Sequence, residues 1–207
     1  MPVHVNDHPL VHEALLELRN IETSSAHFRR AAARITVLLA CEAMRGLPSI
    51  AATVETPLGT AHGRRVSGDI VVVPVLRAGL GMLDAVLDLA PQARVGHIGL
   101  QRDEQTAVAS QYYAKFPARL DQSFVLLVDP MLATGGSAIA ALELLHRAGA
   151  RQVHVVCIVA APEGIAALEQ HFPNVQIFTP VIDQRLSPHK FIVPGLGDFG
   201  DRLYGTS

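Results

Sequence analysis

A mostly parallel α/β sheet flanked by helices is the fold class this sequence predicts, and three observations carry the prediction. Between Asp69 and Phe178, short apolar runs rich in β-branched residues alternate with stretches of helical periodicity. The apolar runs have no polar side, as expected of strands covered on both faces. The length, 207 residues, suits one large domain with at most a small appendage and is too short for two full catalytic domains.

Taken in order, residues 7 to 46 read as two helices that precede the alternating series. Asp7 can cap the first with Pro9 just inside it, Ser24 can cap the second, and Gly46 ends it. Ile70 to Val75 then reads as a strand, Leu80 to Leu89 as a helix and Val95 to Leu100 as a strand. The pattern resumes with a strand from Phe124 to Val128, a helix from Ala138 to Ala148 and a strand from Val153 to Val159. A helix from Glu163 to His171 and a strand from Val175 to Phe178 close it. The unpatterned stretch from Asp103 to Gln122 is longer than typical connections, so it is either a mobile functional loop or partly a hairpin. In such open sheets ligands meet the C-terminal ends of the strands, so the residues just after each strand hold the most information about function.

Hydrophobic residues make up 49% of the chain and charged ones 17%, a surface poor enough in charge that part of it is expected in a subunit interface of a homo-oligomer, dimer or tetramer. A formal net charge of −2 argues against broad electrostatic binding to nucleic acid. The only two cysteines, Cys41 and Cys157, have no partner at ligand spacing and read as buried free thiols. Met1 to Asp7 lacks the pattern of a secretory signal, and no apolar run is long enough to span a bilayer. A reducing cytoplasm fits these features.

The strongest chemical signal runs from Phe124 to Ser137, a buried strand that ends in Asp129 and turns through Gly135 and Gly136 into a helix. Backbone N–H groups from Ala133 to Ser137 would lie at a helix N-terminus, where unpaired donors and the helix dipole favour an anion. A carboxylate beside such a cradle suits ribose hydroxyls, which donate to it, better than a second phosphate. Together they describe a ribose 5-phosphate site. A nucleotide P-loop is excluded because no Gly-Lys-Ser/Thr follows at the required spacing. An ordinary glycine turn would need neither the strand-terminal Asp129 nor the hydroxyls of Thr134 and Ser137.

A second signal runs from Val71 to Gly81, another buried strand, and it delivers Arg77 to a helix start. A dinucleotide site is rejected because Asp84 stands where a third glycine should allow tight helix packing. Arg102 follows the next strand in the same relative place, so two strand ends present guanidinium groups able to clamp a diphosphate. A third signal is the glycine-rich run from Ile192 to Arg202. Its backbone either reads the edge of a flat ligand through its own N–H and C=O groups or is a structural cover for the sheet. His8 and His12, at helical spacing but without a nearby acid pattern, read as an exposed helix face in preference to a metal site. No serine nucleophile elbow and no His-Glu-x-x-His occur, which leaves hydrolase chemistry without a foothold.

These residues resemble a known family. Asp129 to Ser137, reading DPMLATGGS, is similar to the 5-phosphoribosyl 1-diphosphate (PRPP) motif of uracil phosphoribosyltransferases. His8 to Val11, Pro74 to Met82, Ala160 to Glu169 and Pro194 to Arg202 resemble further signatures of that family, in order and across nearly the whole chain. The resemblance implies a type I phosphoribosyltransferase fold over residues 1–207 as a single domain, with N-terminal helices and a hood built partly from the C-terminal region. It implies that uracil and PRPP become UMP and diphosphate, with Mg²⁺ carried on the PRPP diphosphate and no metal cage in the protein.

The implied PRPP contacts are Asp129, Pro130, Met131, Leu132, Ala133, Thr134, Gly135, Gly136 and Ser137, together with Arg77, Arg102 and Asp198. Asp129, Arg102 and Asp198 are the implied catalytic residues, and uracil would meet Ile192, Gly197, Asp198 and Phe199. Pro130 takes the place of a second acid found in many phosphoribosyltransferases, as in the uracil-specific branch. Arg185 and Lys190 stand where many family members have glycine, and Phe199 where many have alanine. An effector site for GTP is left open. The rival readings are a non-catalytic regulator that senses PRPP or UMP, whose basic face the charge balance does not supply, and a transferase for another base.

Overall fold

In the computed structural model, residues 2–102 and 109–206 are described, without the side chains of Arg102 and Ala109. Strand β1 (Val3–Val5) and helices α1 (Pro9–Arg19) and α2 (Ser25–Ala43) lead into a hairpin of β2 (Ser49–Thr56) and β3 (Gly59–Val66). The central series begins with β4 (Asp69–Leu76), α3 (Leu80–Leu89), β5 (Arg94–Val95), β6 (His97–Arg102) and β7 (Ala109–Lys115). It continues with β8 (Ser123–Val128), β9 (Met131–Leu132), α4 (Gly136–Arg147), β10 (Gln152–Val156), β11 (Val159–Ala160), α5 (Pro162–His171) and β12 (Gln176–Thr179). β13 (Arg185–Leu186), β14 (Ile192–Val193) and α6 (Phe199–Tyr204) complete the chain.

The main sheet has the order β1-β12-β10-β8-β4-β6-β7, with β5 also beside β4, and its pairs are parallel except β6 with β7. From β4 the chain steps through α3 to β6 on one side, and from β8 it steps through α4 and α5 to β10 and β12 on the other. The direction reverses between β4 and β8, which pair from Asp69↔Ser123 to Pro74↔Val128. Opposite winding sends α3 and α4 to opposite faces and leaves a crevice beyond the ends of these two strands.

The uniformly apolar strands serve two cores at once, because successive side chains point to opposite faces. Val72, Phe124, Leu126, Val128 and Val156 face α1, α2, α3 and α6, whereas Val71, Val73, Val125, Leu127 and Val155 face α4 and α5. This is why no polar alternation appears in the sequence. The mostly parallel sheet with a helical layer on each face is as expected.

The boundaries differ in places. The cap of α1 is His8, whose Nδ1 accepts from Leu10 N at 3.1 Å, while Asp7 pairs with His12. Ser24 caps α2, as predicted. The run Val153 to Val159 breaks after Val156, because Ile158 and Val159 both donate to the carbonyl of Pro130 and β11 leaves the main sheet to pair with β9. Backbone partners decide that break, and a continuous apolar run cannot announce it. Of the unpatterned stretch, Ala109 to Lys115 is a hairpin arm against β6, and residues 103–108 lie outside the described residues. Cys157 is buried and free, but Cys41 is exposed on α2. No helix among the described residues is long and apolar enough to cross a membrane.

Candidate active site

A cleft of about 330 Å³ opens at the reversal point, bordered by residues from the ends of β4 and β8, from the start of α4 and from the C-terminal run. Three walls enclose it, each built on a different element.

The first wall is the loop that follows β8. Strand β8 is buried throughout and carries Asp129 to the rim, where the Asp129 N–H donates to the Val156 carbonyl at 3.2 Å. From there the residues alternate. Asp129, Met131, Ala133 and Ser137 border the cleft, whereas Pro130 and Leu132 are buried and turn away. The Pro130 carbonyl accepts from Ile158 and Val159, and the Leu132 carbonyl accepts from Ala161 at 2.8 Å. These two residues anchor the loop through its backbone. Gly135, at φ 84°, adopts the left-handed conformation at the N-cap of α4 and leaves that helix end without a side-chain cap. Thr134 is close by, its hydroxyl 3.4 Å from the Gly136 N–H.

The start of α5 presses on this loop from below. A Cβ on Gly164 would lie 2.5 Å from the Ala133 carbonyl oxygen and 2.9 Å from that of Leu132, so no side chain fits there. Gly164 lies in the block Ala160 to Glu169 that resembles a family signature, but nothing in one chain's sequence ties that glycine to the loop. Glu163 accepts from the Leu186 N–H at 2.9 Å; its own backbone N–H adds a second bond, and together they hold its carboxyl below the usual range, with Arg185 and Lys190 adding to the effect.

The second wall is Arg77, which follows β4 across a cis peptide bond from Leu76. Its guanidinium is 3.8 Å from the Asp201 carboxylate, and its carbonyl accepts from the Tyr204 hydroxyl at 3.2 Å. Burial raises the Tyr204 hydroxyl pKa above its ordinary value, and the nearby Arg77 opposes the shift. Arg102 ends β6 on the same edge, and its side chain lies outside the described residues.

The third wall is the C-terminal run. Ile192, Gly197 and Asp198 border the cleft. Asp198 also caps α6, its carboxylate accepting from the Asp201 N–H at 2.9 Å. Phe199 borders the cleft as well, but its ring turns into the core, where it is 2% exposed and meets Phe28 edge-on at 5.0 Å. Phe199 follows the cap of α6, and its ring packs on the core side of that helix's first turn. His189, Lys190 and Phe191 also border the cleft; Lys190 is one of the departures from glycine singled out in the sequence, and the other two carry no such signal. All three precede the glycine-rich run.

The cleft thus joins the N-terminal end of α4, two carboxylates and two cationic side chains, Arg77 and Lys190, a combination suited to a sugar phosphate with an anionic leaving group. Beneath it, burial pushes the Cys157 thiol up to about 12, with its Thr179 hydrogen bond opposing the shift and nearby Asp129 adding to it, so the thiol stays protonated near neutral pH. Among the described residues no group of three or more His, Cys, Asp or Glu side chains is arranged to hold a metal ion.

Comparison with known proteins agrees with this geometry. A family model described as "Uracil phosphoribosyltransferase" matches residues 5–206. A uracil phosphoribosyltransferase of Dictyoglomus turgidum is 49% identical over 205 residues, which is 99% of each chain. A protein of Aquifex aeolicus of solved structure superposes with a TM-score of 0.94 at 36% identity over 99% of each chain. The adenine phosphoribosyltransferase of Trypanosoma brucei, solved with AMP, pyrophosphate and ribose-5-phosphate, shares the fold with a TM-score of 0.57 at 16% identity, over 93% of this chain and 85% of that one.

Proposed function

This chain belongs to the uracil phosphoribosyltransferase family, and we propose that the cleft at the β4–β8 reversal is where uracil and PRPP become UMP and diphosphate. The observation that carries the proposal is the meeting of the Asp129 loop, Arg77 and the glycine-rich run around one cavity. The protein is a glycosyltransferase, and the whole chain acts as one domain whose C-terminal segment forms the hood over the sheet.

In this reading the N–H groups at the start of α4 hold the 5-phosphate and Asp129 accepts from the ribose hydroxyls. Arg77 and Arg102 hold the diphosphate, and the backbone around Gly197 and Asp198 meets the base. Uracil N1 attacks the anomeric carbon as the bond to diphosphate breaks and positive charge develops on the ribose ring. The protein's contribution is to align two substrates and to stabilise leaving-group charge, with little acid–base work required. Pro130 and Leu132 serve by anchoring the loop, since both are buried.

Asp129 and Asp198 offer the hard oxygen donors that suit Mg²⁺, and two carboxylates fit an ion that arrives with its remaining ligands on a diphosphate. Bound there, Mg²⁺ would neutralise charge on the leaving group. Exposed apolar residues on the β2–β3 hairpin, Ile50, Val54 and Leu58 among them, support a homo-oligomer, and the two free thiols support a reducing cytoplasm.

A base panel assayed with PRPP and Mg²⁺, with and without GTP, tests the reading. Uracil alone should yield nucleotide, released together with diphosphate. Better use of another base, or no transfer at all, would overturn it, and the GTP arm decides whether that nucleotide is an effector.

A further inference from the structure

We infer that Arg19 and Asp183 are positioning residues for the base: their ion pair grips the Gly195 peptide from both sides and sets where the glycine-rich run presents its backbone. The inference rests on the uracil-reading role proposed above.

Arg19 ends α1, and Asp183 follows β12. Their side chains are 20% and 4% exposed. One guanidinium nitrogen of Arg19 donates to Asp183 Oδ1 at 2.6 Å, and the other donates both to Asp183 Oδ2 at 3.0 Å and to the Gly195 carbonyl at 2.9 Å. Asp183 Oδ2 in turn accepts from the Gly195 N–H at 2.8 Å. Both polar groups of one residue are therefore held by a single pair, two positions before Gly197. The adjacent residue is fixed separately, since Arg202 donates to the Leu196 carbonyl at 2.8 Å and also to the carbonyls of Leu18 and Asn20. The end of α1 is thus the platform on which this wall of the cleft is built.

The pair also ties that wall to the phosphate loop. The Asp183 N–H donates to the Ala160 carbonyl at 2.8 Å, and Ala160 pairs with Leu132 across β11 and β9. A base loop whose position is set by Asp183 is thereby set relative to the ribose site, which is what an in-line attack on the anomeric carbon demands. Desolvation makes a buried ion pair a poor source of stability compared with apolar residues of the same size. Geometry of the Gly195 peptide is what this pair supplies and an apolar pair could not.

Two variants test the inference, each assayed beside the wild type for KM of uracil, KM of PRPP, the uracil-to-cytosine ratio of kcat/KM, and Tm. Arg19→Lys keeps the charge but cannot serve both carboxylate oxygens and the Gly195 carbonyl together. Asp183→Asn keeps an acceptor for the Gly195 N–H but loses the charge that holds Arg19. Each should raise KM for uracil by about tenfold or more and erode the rejection of cytosine, while KM for PRPP changes little. If both KM values rise together, if neither moves while Tm falls, or if neither variant folds, the pair supports the fold and not the base, and the inference is overturned. Failure of the wild type to use uracil would instead sink the functional reading beneath it.

Discussion

The phosphate loop and the base loop face each other across one cleft, yet they are held in place by different means. Residues 129–137 hang on main-chain bonds: Asp129 to Val156, Pro130 to Ile158 and Val159, and Leu132 to Ala161, with β9 paired to β11. Residues 192–198 have the short β13–β14 pairing, extended by the Gln184 N–H bond to the Val193 carbonyl, and beyond Val193 they are held by side chains, Arg19, Asp183 and Arg202. A loop hung on its own backbone tolerates side-chain change and is sensitive to added bulk beneath it. A loop hung on distant side chains has the opposite sensitivities. Each prediction below sets one of these sensitivities against the other.

The largest effect is expected at Gly164. An alanine Cβ there would meet two backbone oxygens of the phosphate loop, at 2.5 and 2.9 Å, and neither can rotate aside. Gly164→Ala should displace the loop and weaken PRPP binding by about a hundredfold or more, the cost of a misplacement near 1 Å. Discrimination of uracil from cytosine by whatever activity remains should survive, since the opposite wall is untouched. Calorimetry with PRPP measures the first and paired assays the second. Unchanged PRPP affinity would break the contrast between the two walls.

Phe199→Ala acts from the other side. The ring is 2% exposed and packs edge-on against Phe28, so its removal leaves a cavity in the core and not an opening in the cleft. A loss of about 3 kcal/mol in urea unfolding is expected. A variant that unfolds like the wild type while its KM for uracil rises would put the ring back among the base contacts.

The same contrast explains what was legible in the sequence. The phosphate wall is local: an apolar strand, an acid, two glycines and a helix follow one another from Phe124 to Ser137, so composition and order display it. Of the base wall's supports, Arg19 lies 176 residues from Gly195; Asp183 and Arg202 are near the wall in sequence, but their partners on α1, Arg19 and Leu18, lie 164 and 184 residues from them, and a single arginine at the end of a helix looks like any surface charge. Strands β4, β8 and β10 were readable because burial on both faces leaves a continuous apolar run. The β2–β3 hairpin was not, because its residues are mostly exposed and mix polar with apolar side chains without a core-facing alternation. Phe199 was placed by its neighbours in sequence, and only the turn into α6 shows that its ring points inward.

Asp129→Asn gives a smaller effect. The amide keeps an acceptor oxygen but loses the charge that strengthens bonds from ribose hydroxyls, worth about 1–2 kcal/mol, or roughly five- to thirtyfold in kcat/KM for PRPP. The bonds that hang the loop run from the Asp129 N–H and to the carbonyls of Pro130 and Leu132, which the substitution leaves in place, so the variant should still fold. Full activity in the variant would remove the ribose role from Asp129.

The smallest effect distinguishes Lys190 from Arg185, the two positions where many family members carry glycine. Lys190 has φ 66°, in the left-handed region that costs a residue with a Cβ about 1–2 kcal/mol, and its side chain is exposed. Glycine removes that strain but adds freedom to the unfolded chain, at a cost of about 0.5–1 kcal/mol. The difference favours Lys190→Gly by about 0.5–1 kcal/mol, a rise of roughly 1–4 °C in Tm for a chain of this size. Arg185 is not among the residues of positive φ and pairs with Val193 in β13, so glycine there supplies only the entropy cost and should lower Tm by a similar amount. Opposite signs from two formally identical substitutions, read in one melting experiment, would show that backbone conformation accounts for glycine at position 190 and not at 185. Equal shifts would mean that the loop before the base wall relaxes freely, and that its φ at Lys190 is not imposed by the bonds that follow.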